Sequence, residues 1–361
     1  MTSLIDSLAR PAEAGANTVT LQRDSRAMAW PGEMFARWRE RIERGCGAFE
    51  WVTLSYLTIL NALIMIFFRS IPHPQRYIAA HQCVALGILL VACSACWRPR
   101  AVWRFVRCWY PLPLYIGFFE ELRGLVHLVF PGWFDASLLR FDFWLCGAQP
   151  AVWLSQFARP GLNDFMQFSY MTYFAYLVLL SALLYARREM RAFWTVMTCT
   201  ALAHYTVYLI AVVFPIESPH FSLAHAPMAP LTGGFPTTLI EVIETYGRVH
   251  GAAFPSAHVA GSMVAILCAW RYRRWLFWVT LPFFVSMMVA TVYGRYHYVA
   301  DVLAGMLVGA AGYAVGLALM RLPAAVPVDA VGATAENPER IGGSLGIDGA
   351  WTSGRKVFYG G

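Results

Sequence analysis

Two short stretches of this 361-residue chain hold residues whose types and spacing can do chemistry. The first is Gly251-Ala-Ala-Phe-Pro-Ser-Ala-His258, in which a glycine-containing loop runs into Pro255. Proline pre-sets φ for a first helical turn, so Ser256 and His258 are expected in a turn whose backbone N–H groups lack intrahelical partners. A helix start of that kind accepts anions. Alone, the plainer reading is a Pro/Ser helix cap beside a chance histidine. The second stretch is Arg295-Tyr-His297-Tyr-Val-Ala-Asp301. Helical spacing would stack His297 and Asp301 on one face, where the carboxylate accepts a hydrogen bond from one imidazole nitrogen. The other nitrogen is then basic, oriented and pointed away. Alone, this too reads as a structural pair capping a helix.

The two stretches are joined by a single helical hairpin that leaves one face of the protein and returns to it. Together they supply a nucleophile, a second histidine as acid, and an anion cradle. That set suits phosphoryl transfer through a covalent phospho-histidine.

The elements that position these residues follow from composition. The chain is 58% hydrophobic and 14% charged, with a mean hydropathy of +0.50. Soluble domains run about 45–50% apolar and about 25% charged. The balance excludes a disordered chain, a coiled coil and a small disulfide-stapled domain, and points to an all-α polytopic membrane bundle. Apolar runs predict helices over 51–68, 77–97, 165–186, 192–214, 256–270, 275–293 and 298–320. A weaker span over 108–130, interrupted by prolines and by Glu120, Glu121 and Arg123, brings the expected number to eight. A tail over 1–48, a transmembrane catalytic region over 49–321 and a second tail over 322–361 complete the organisation.

The net charge of +7 rests on 28 basic residues, of which Lys356 is the single lysine. Most of them fall in the two tails and in every second loop, so the positive-inside rule places both termini in the cytoplasm. Segments 130–164, 215–258 and 293–301 then face outward, carrying the two chemical stretches with them. Charge on alternate loops is not the contiguous stripe that nucleic acid requires, so no nucleic-acid partner is expected. Arg37, Arg39, Arg41 and Arg44 beside Trp38 read either as an amphipathic segment on the inner leaflet or as plain topology charge. Among the eight cysteines only Cys146 falls in an outward loop, which leaves an exofacial disulfide without a partner. His204, His220 and His225 lack metal-ligand spacing, and neither metal nor cofactor is expected. An arginine-rich, lysine-poor composition fits a GC-rich genome and a bacterial inner membrane.

At these motifs the sequence resembles the type 2 phosphatidic acid phosphatase/haloperoxidase superfamily. Pro255-Ser256-Ala257-His258 is similar to the family's P-S-G-H motif, and His297 to Asp301 to its H-x-x-x-D motif. Gly251-Ala-Ala-Phe-Pro-Ser-Ala-His258, His297-Tyr298 and Asp142-Phe-Trp-Leu-Cys-Gly147-Ala-Gln-Pro150 look like the branch containing inositol phosphorylceramide synthase. The resemblance covers about residues 140–310 and implies a six-helix catalytic core preceded by two extra helices. It implies His297 as nucleophile, Asp301 as its orienting acid and His258 as general acid. Ser256 and the backbone N–H groups of 255–258 would hold phosphate oxygens.

The family's lysine- and arginine-containing first motif has no counterpart here, and Thr291 stands where the third motif usually has an arginine. The phosphate clamp is therefore expected from Arg295, Arg248 or Arg123, because a guanidinium binds phosphate in a bidentate manner. Arg295 adjoins His297 and comes first. Arg123 also reads as a self-paired structural cluster with Glu120 and Glu121. The implied activity is that of a lipid phosphatase or headgroup phosphotransferase at the outer membrane surface. Its partners would be a lipid phosphate or phospholipid, a possible hydroxyl acceptor and membrane lipids. A reading of a different class is a transporter or channel using His297–Asp301 as a proton relay.

Overall fold

A computed structural model describes residues 36, 39–40, 42–95, 101–322 and 325–327. Met1–Glu40 separate as a unit of their own, and Arg41–Gly361 form the other. The amphipathic segment expected around Arg37, Trp38 and Arg41, and most of the tail beyond residue 322, lie outside the described residues. In the second unit the regular structure among the described residues is helical, apart from an isolated bridge between Ile216 and Ala252. The helices are α1 (Ala48–Ile66), α2 (Pro74–Ala95), α3 (Ala101–Trp109), α4 (Pro111–Glu121), α5 (Asp135–Cys146), α6 (Pro150–Ser155) and α7 (Pro160–Met171). They continue as α8 (Tyr173–Ala186), α9 (Met190–Val213), α10 (Pro219–Ser222), α11 (Phe235–Gly247), α12 (Ala257–Tyr272), α13 (Arg274–Tyr293) and α14 (Val299–Leu319).

Six helical stretches are long and apolar enough to cross a membrane: α1, α2, α7 joined to α8, α9, α13 and α14. Two of the eight stretches read as crossings from sequence fall short of that length. The 108–130 stretch breaks into α3, α4 and a 3-10 turn over Leu122–Gly124. Pro111 stands at the break, because a proline has no N–H to continue the preceding helix. The 256–270 stretch becomes α12, 16 residues long. Segments 130–164 and 215–258 are not open loops, since they hold α5, α6 and α11.

α9 is the hub, buried on nearly all its faces. α14 packs along both α9 and α12. Close approach there depends on small residues, as in other membrane bundles. At Gly305 of α14 a Cβ would stand 2.7 Å from the carbonyl oxygen of Ser256, so no larger residue fits without moving the start of α12.

At the end of the bundle remote from the two motifs, Arg107 of α3 pairs with Glu50 of α1. Both are buried, at 3% and 0% exposure. Arg107 also donates to the Gly45 carbonyl at 2.6 Å, and Tyr110 donates to Glu50 at 2.5 Å. Satisfying all these groups together is what makes the burial of two charges tolerable.

Candidate active site

His297 does not lie on a helix. It precedes α14, whose first residue is Val299, so it meets Asp301 across the helix start rather than along one helical face. Asp301 is the third residue of α14 and turns back to accept the Tyr298 N–H at 2.8 Å. The same oxygen lies 3.3 Å from His297 Nδ1, while the Ala253 carbonyl lies closer, at 2.9 Å. Both neighbours are acceptors, so Nδ1 carries the proton and Nε2 keeps the lone pair. His297 is 5% exposed and lines a cavity of about 250 Å³, and no described residue hydrogen-bonds its Nε2.

The carbonyl that shares this work comes from the first motif. Residues 251–253 run beside 215–217, with Ile216 donating to the Gly251 carbonyl at 3.1 Å and Ala253 donating to the Ile216 carbonyl at 3.2 Å. Gly251 has φ +96°, and a Cβ there would stand 2.3 Å from Val126. Only glycine adopts that conformation in that space without strain.

Ser256 caps α12. Its Oγ accepts the Val259 N–H at 3.3 Å, and its own N–H donates to the Asp301 carbonyl at 3.1 Å. Pro255 thus precedes the cap instead of opening the helix. Ser256 is fully buried and does not line the cavity, whereas Ala257 and His258 do. The serine oxygen is engaged in the cap, and the first turn of α12 presents N–H groups that, as at any helix start, lack intrahelical partners.

The His258 ring centroid is 5.7 Å from that of His297. Tyr170 donates its hydroxyl proton to Glu244 at 3.0 Å and so accepts from His258 Nε2, also at 3.0 Å. Nδ1 of His258 is buried without a partner. Each histidine is therefore backed by an acceptor on one nitrogen: His297 by Ala253 and Asp301, His258 by the Tyr170–Glu244 chain. The helical spacing of the motifs gives no hint of Tyr170 or Glu244, which arrive from α7 and α11.

The three arginines separate. Arg248 lines the cavity with the histidines. Its Nε donates to Glu244 at 2.9 Å, and no described residue bonds its two Nη groups. Arg295 has φ +65°, donates to the Ala229 carbonyl, and lines an adjoining polar chamber of about 550 Å³. Burial holds the Arg295 guanidinium below its ordinary pKa. Glu244, Arg248 and Tyr296 line both spaces and form the wall between them. Arg123 pairs with Glu120 at 2.7 Å and donates to the carbonyls of Arg248 and Tyr246 at 2.8 and 2.9 Å. It fastens the segment that carries Arg248 and does not line the cavity. Glu121 turns instead to His81, at 2.6 Å.

The upstream signature also acquires a physical role. The Asp142 carboxylate accepts the Val299 and Ala300 N–H groups at 2.9 and 3.0 Å, capping the helix that carries Asp301. Burial raises its pKa, and those two bonds oppose the rise. Asp135 accepts the Tyr298 hydroxyl at 2.7 Å and the Glu217 N–H at 3.0 Å, tying α5 to the same corner. Gly147 ends α5 at φ +71° and Pro150 opens α6.

Residues 136–315 match the family model described as the PAP2 superfamily. Neither a curated protein nor a solved structure matches the chain. The matched segment runs from α5 into α14 and contains both histidine motifs and Asp142. With the six apolar helices it supports a phosphatase-type function in a membrane.

Proposed function

We propose, from the PAP2 superfamily match and the geometry around His297, that the chain is an integral membrane lipid phosphatase or headgroup phosphotransferase acting through a phospho-histidine. One observation carries this reading: His297 Nδ1 is committed to two acceptors, which leaves Nε2 unbonded in a cavity shared with His258 and Arg248. Nε2 attacks phosphorus, a P–N bond forms and the P–O bond to the leaving alcohol breaks. Protonated His258 gives that oxygen its proton. Water or an acceptor hydroxyl then attacks, its proton passes to His258, and the P–N bond breaks to restore His297.

The free Nη fork of Arg248 and the N–H groups at the start of α12 stabilise the charge on the transferring group. Arg295, across the wall, is left with headgroup or product contacts, and Arg123 positions Arg248. The positive-inside distribution supports an extracytoplasmic site in a bacterial inner membrane, with both termini cytoplasmic.

The test uses full-length protein in detergent with a panel of lipid phosphates labelled at phosphorus. An acid-labile phosphoenzyme that His297→Ala abolishes is the expected result. Arg248→Ala is expected to lower kcat/KM by about 10²–10³-fold, in the range of a lost transition-state donor, and Arg248→Lys to recover little of it. Turnover that is the same in wild type and His297→Ala, or absent from both, would overturn the reading and leave the proton-relay transporter standing.

A further inference from the structure

The catalytic cavity is unusual for a phosphate site in its charge. Glu120, Glu217 and Glu244 line it, with Arg248 the one arginine among the lining residues. Arg123, paired with Glu120 outside the lining, raises the count to three carboxylates against two guanidiniums. Glu244 spends both oxygens, on Tyr170 and on Arg248. Glu120 and Glu217 do not. Each uses one oxygen, on Arg123 at 2.7 Å and on His250 at 2.8 Å, and no described residue bonds the other. Aromatic rings form a second part of the wall, beside aliphatic residues such as Ile116, Ile243 and Val249: Phe119, Tyr173, Phe174 and Tyr208 all line it, with the Phe119 and Tyr208 centroids 6.0 Å apart. His297, 5% exposed, opens its unpaired Nε2 into the same space.

A dianionic phosphomonoester entering this cavity meets, beside Arg248 and the histidines, two carboxylates that each keep an unbonded oxygen. A phosphodiester that carries its own cation can use them: its phosphate reaches Arg248 and Nε2, while its ammonium finds ring faces and free carboxylate oxygens. Aromatic faces attract ammonium groups through the ring quadrupole. We infer that the cavity selects a zwitterionic phosphodiester lipid, whose ammonium-bearing headgroup sits between Phe119, Tyr208 and the carboxylates of Glu120 and Glu217. The inference rests on the phospho-histidine reading and adds the headgroup class to it. The bonds made and broken are those given above, with the phosphorylated amino alcohol carried on His297 and the lipid alcohol as the first leaving group.

Full-length protein in detergent is offered phosphatidylcholine, phosphatidylethanolamine, phosphatidylglycerol and phosphatidic acid with matched acyl chains. Consumption of each is measured for wild type, His297→Ala, Glu120→Gln, Glu217→Gln and Phe119→Ala. The two ammonium lipids are expected to be consumed at least about tenfold faster than the other two, and each cavity variant to narrow that ratio about 3–10-fold. His297-dependent consumption of phosphatidic acid or phosphatidylglycerol at an equal or higher rate overturns the inference while the phospho-histidine reading stands. A ratio unmoved by all three cavity variants, in protein that elutes as wild type does, also overturns it. Absence of His297-dependent consumption of any lipid overturns both.

Discussion

Asp301→Asn tests how the nucleophile is held. In the wild type, His297 Nδ1–H has two acceptors, the Ala253 carbonyl at 2.9 Å and Asp301 Oδ2 at 3.3 Å. If the carboxylate alone fixed the tautomer, its amide would flip the ring, and losses of about 10⁴-fold follow from such a flip. Here the carbonyl keeps Nδ1 protonated without help. What the variant loses is charge: a hydrogen bond to a charged group is worth about 1.5–3 kcal/mol and a neutral one about 0.5–1.5. A difference of about 1–2 kcal/mol corresponds to about 5–30-fold in rate. Asparagine can still present an oxygen to the Tyr298 N–H, now met at 2.8 Å. Its amide nitrogen then occupies the place of Oδ1, which is buried and unpartnered, so a modest loss of stability is also expected. The assay is kcat for lipid turnover at saturating substrate, beside the midpoint of thermal unfolding in the same detergent. Folded Asp301→Asn protein as inactive as His297→Ala would refute the argument, because Ala253 would then have no part in setting the tautomer.

Three further outcomes follow from other parts of the molecule. Asp142→Ala leaves the Val299 and Ala300 N–H groups without their acceptor and should cost about 1–2 kcal/mol by thermal or denaturant unfolding, with Asp142→Asn retaining most of it. Glu50→Ala strands Arg107 in a buried site and should cost about 3–5 kcal/mol. Turnover per folded molecule should not change, because the pair lies at the end of the bundle remote from the cavity. His220, between α9 and α11, is held below its ordinary pKa by burial and then by Arg248 and Arg295, with Glu244 opposing. The unfolded chain therefore binds the extra proton first as pH falls. Stability due to His220 is fully present above about pH 6.5 and is lost below it. His220→Gln should flatten unfolding midpoints measured between about pH 6.5 and 5, and an unchanged slope would show that other groups set it.

Much of the candidate site was legible because its pattern is local. The two histidines, the acid four residues beyond the second, and the apolar hairpin between them are fixed by neighbours in the chain. The Asp142 signature could be recognised by resemblance, yet its work, capping α14 from α5, is a contact across more than 150 positions. The arginines show the same divide. Adjacency to His297 put Arg295 first, but its backbone at φ +65° carries the side chain into the outer chamber, while Arg248 comes to the histidines from the end of α11. The break of the 108–130 stretch was signalled by Pro111, although its apolar content argued for a crossing.

By itself the sequence determined a helical membrane protein with two histidine motifs brought to one face, because apolar length and motif spacing act along the chain. Tertiary structure decided how the candidate site is built around them. It gave half of the hold on His297 to the Ala253 carbonyl and turned Ser256 inward as a cap. It also placed Tyr170 and Glu244 behind His258 and left the Arg248 fork free. These choices depend on which helix faces meet, and packing between distant segments sets that.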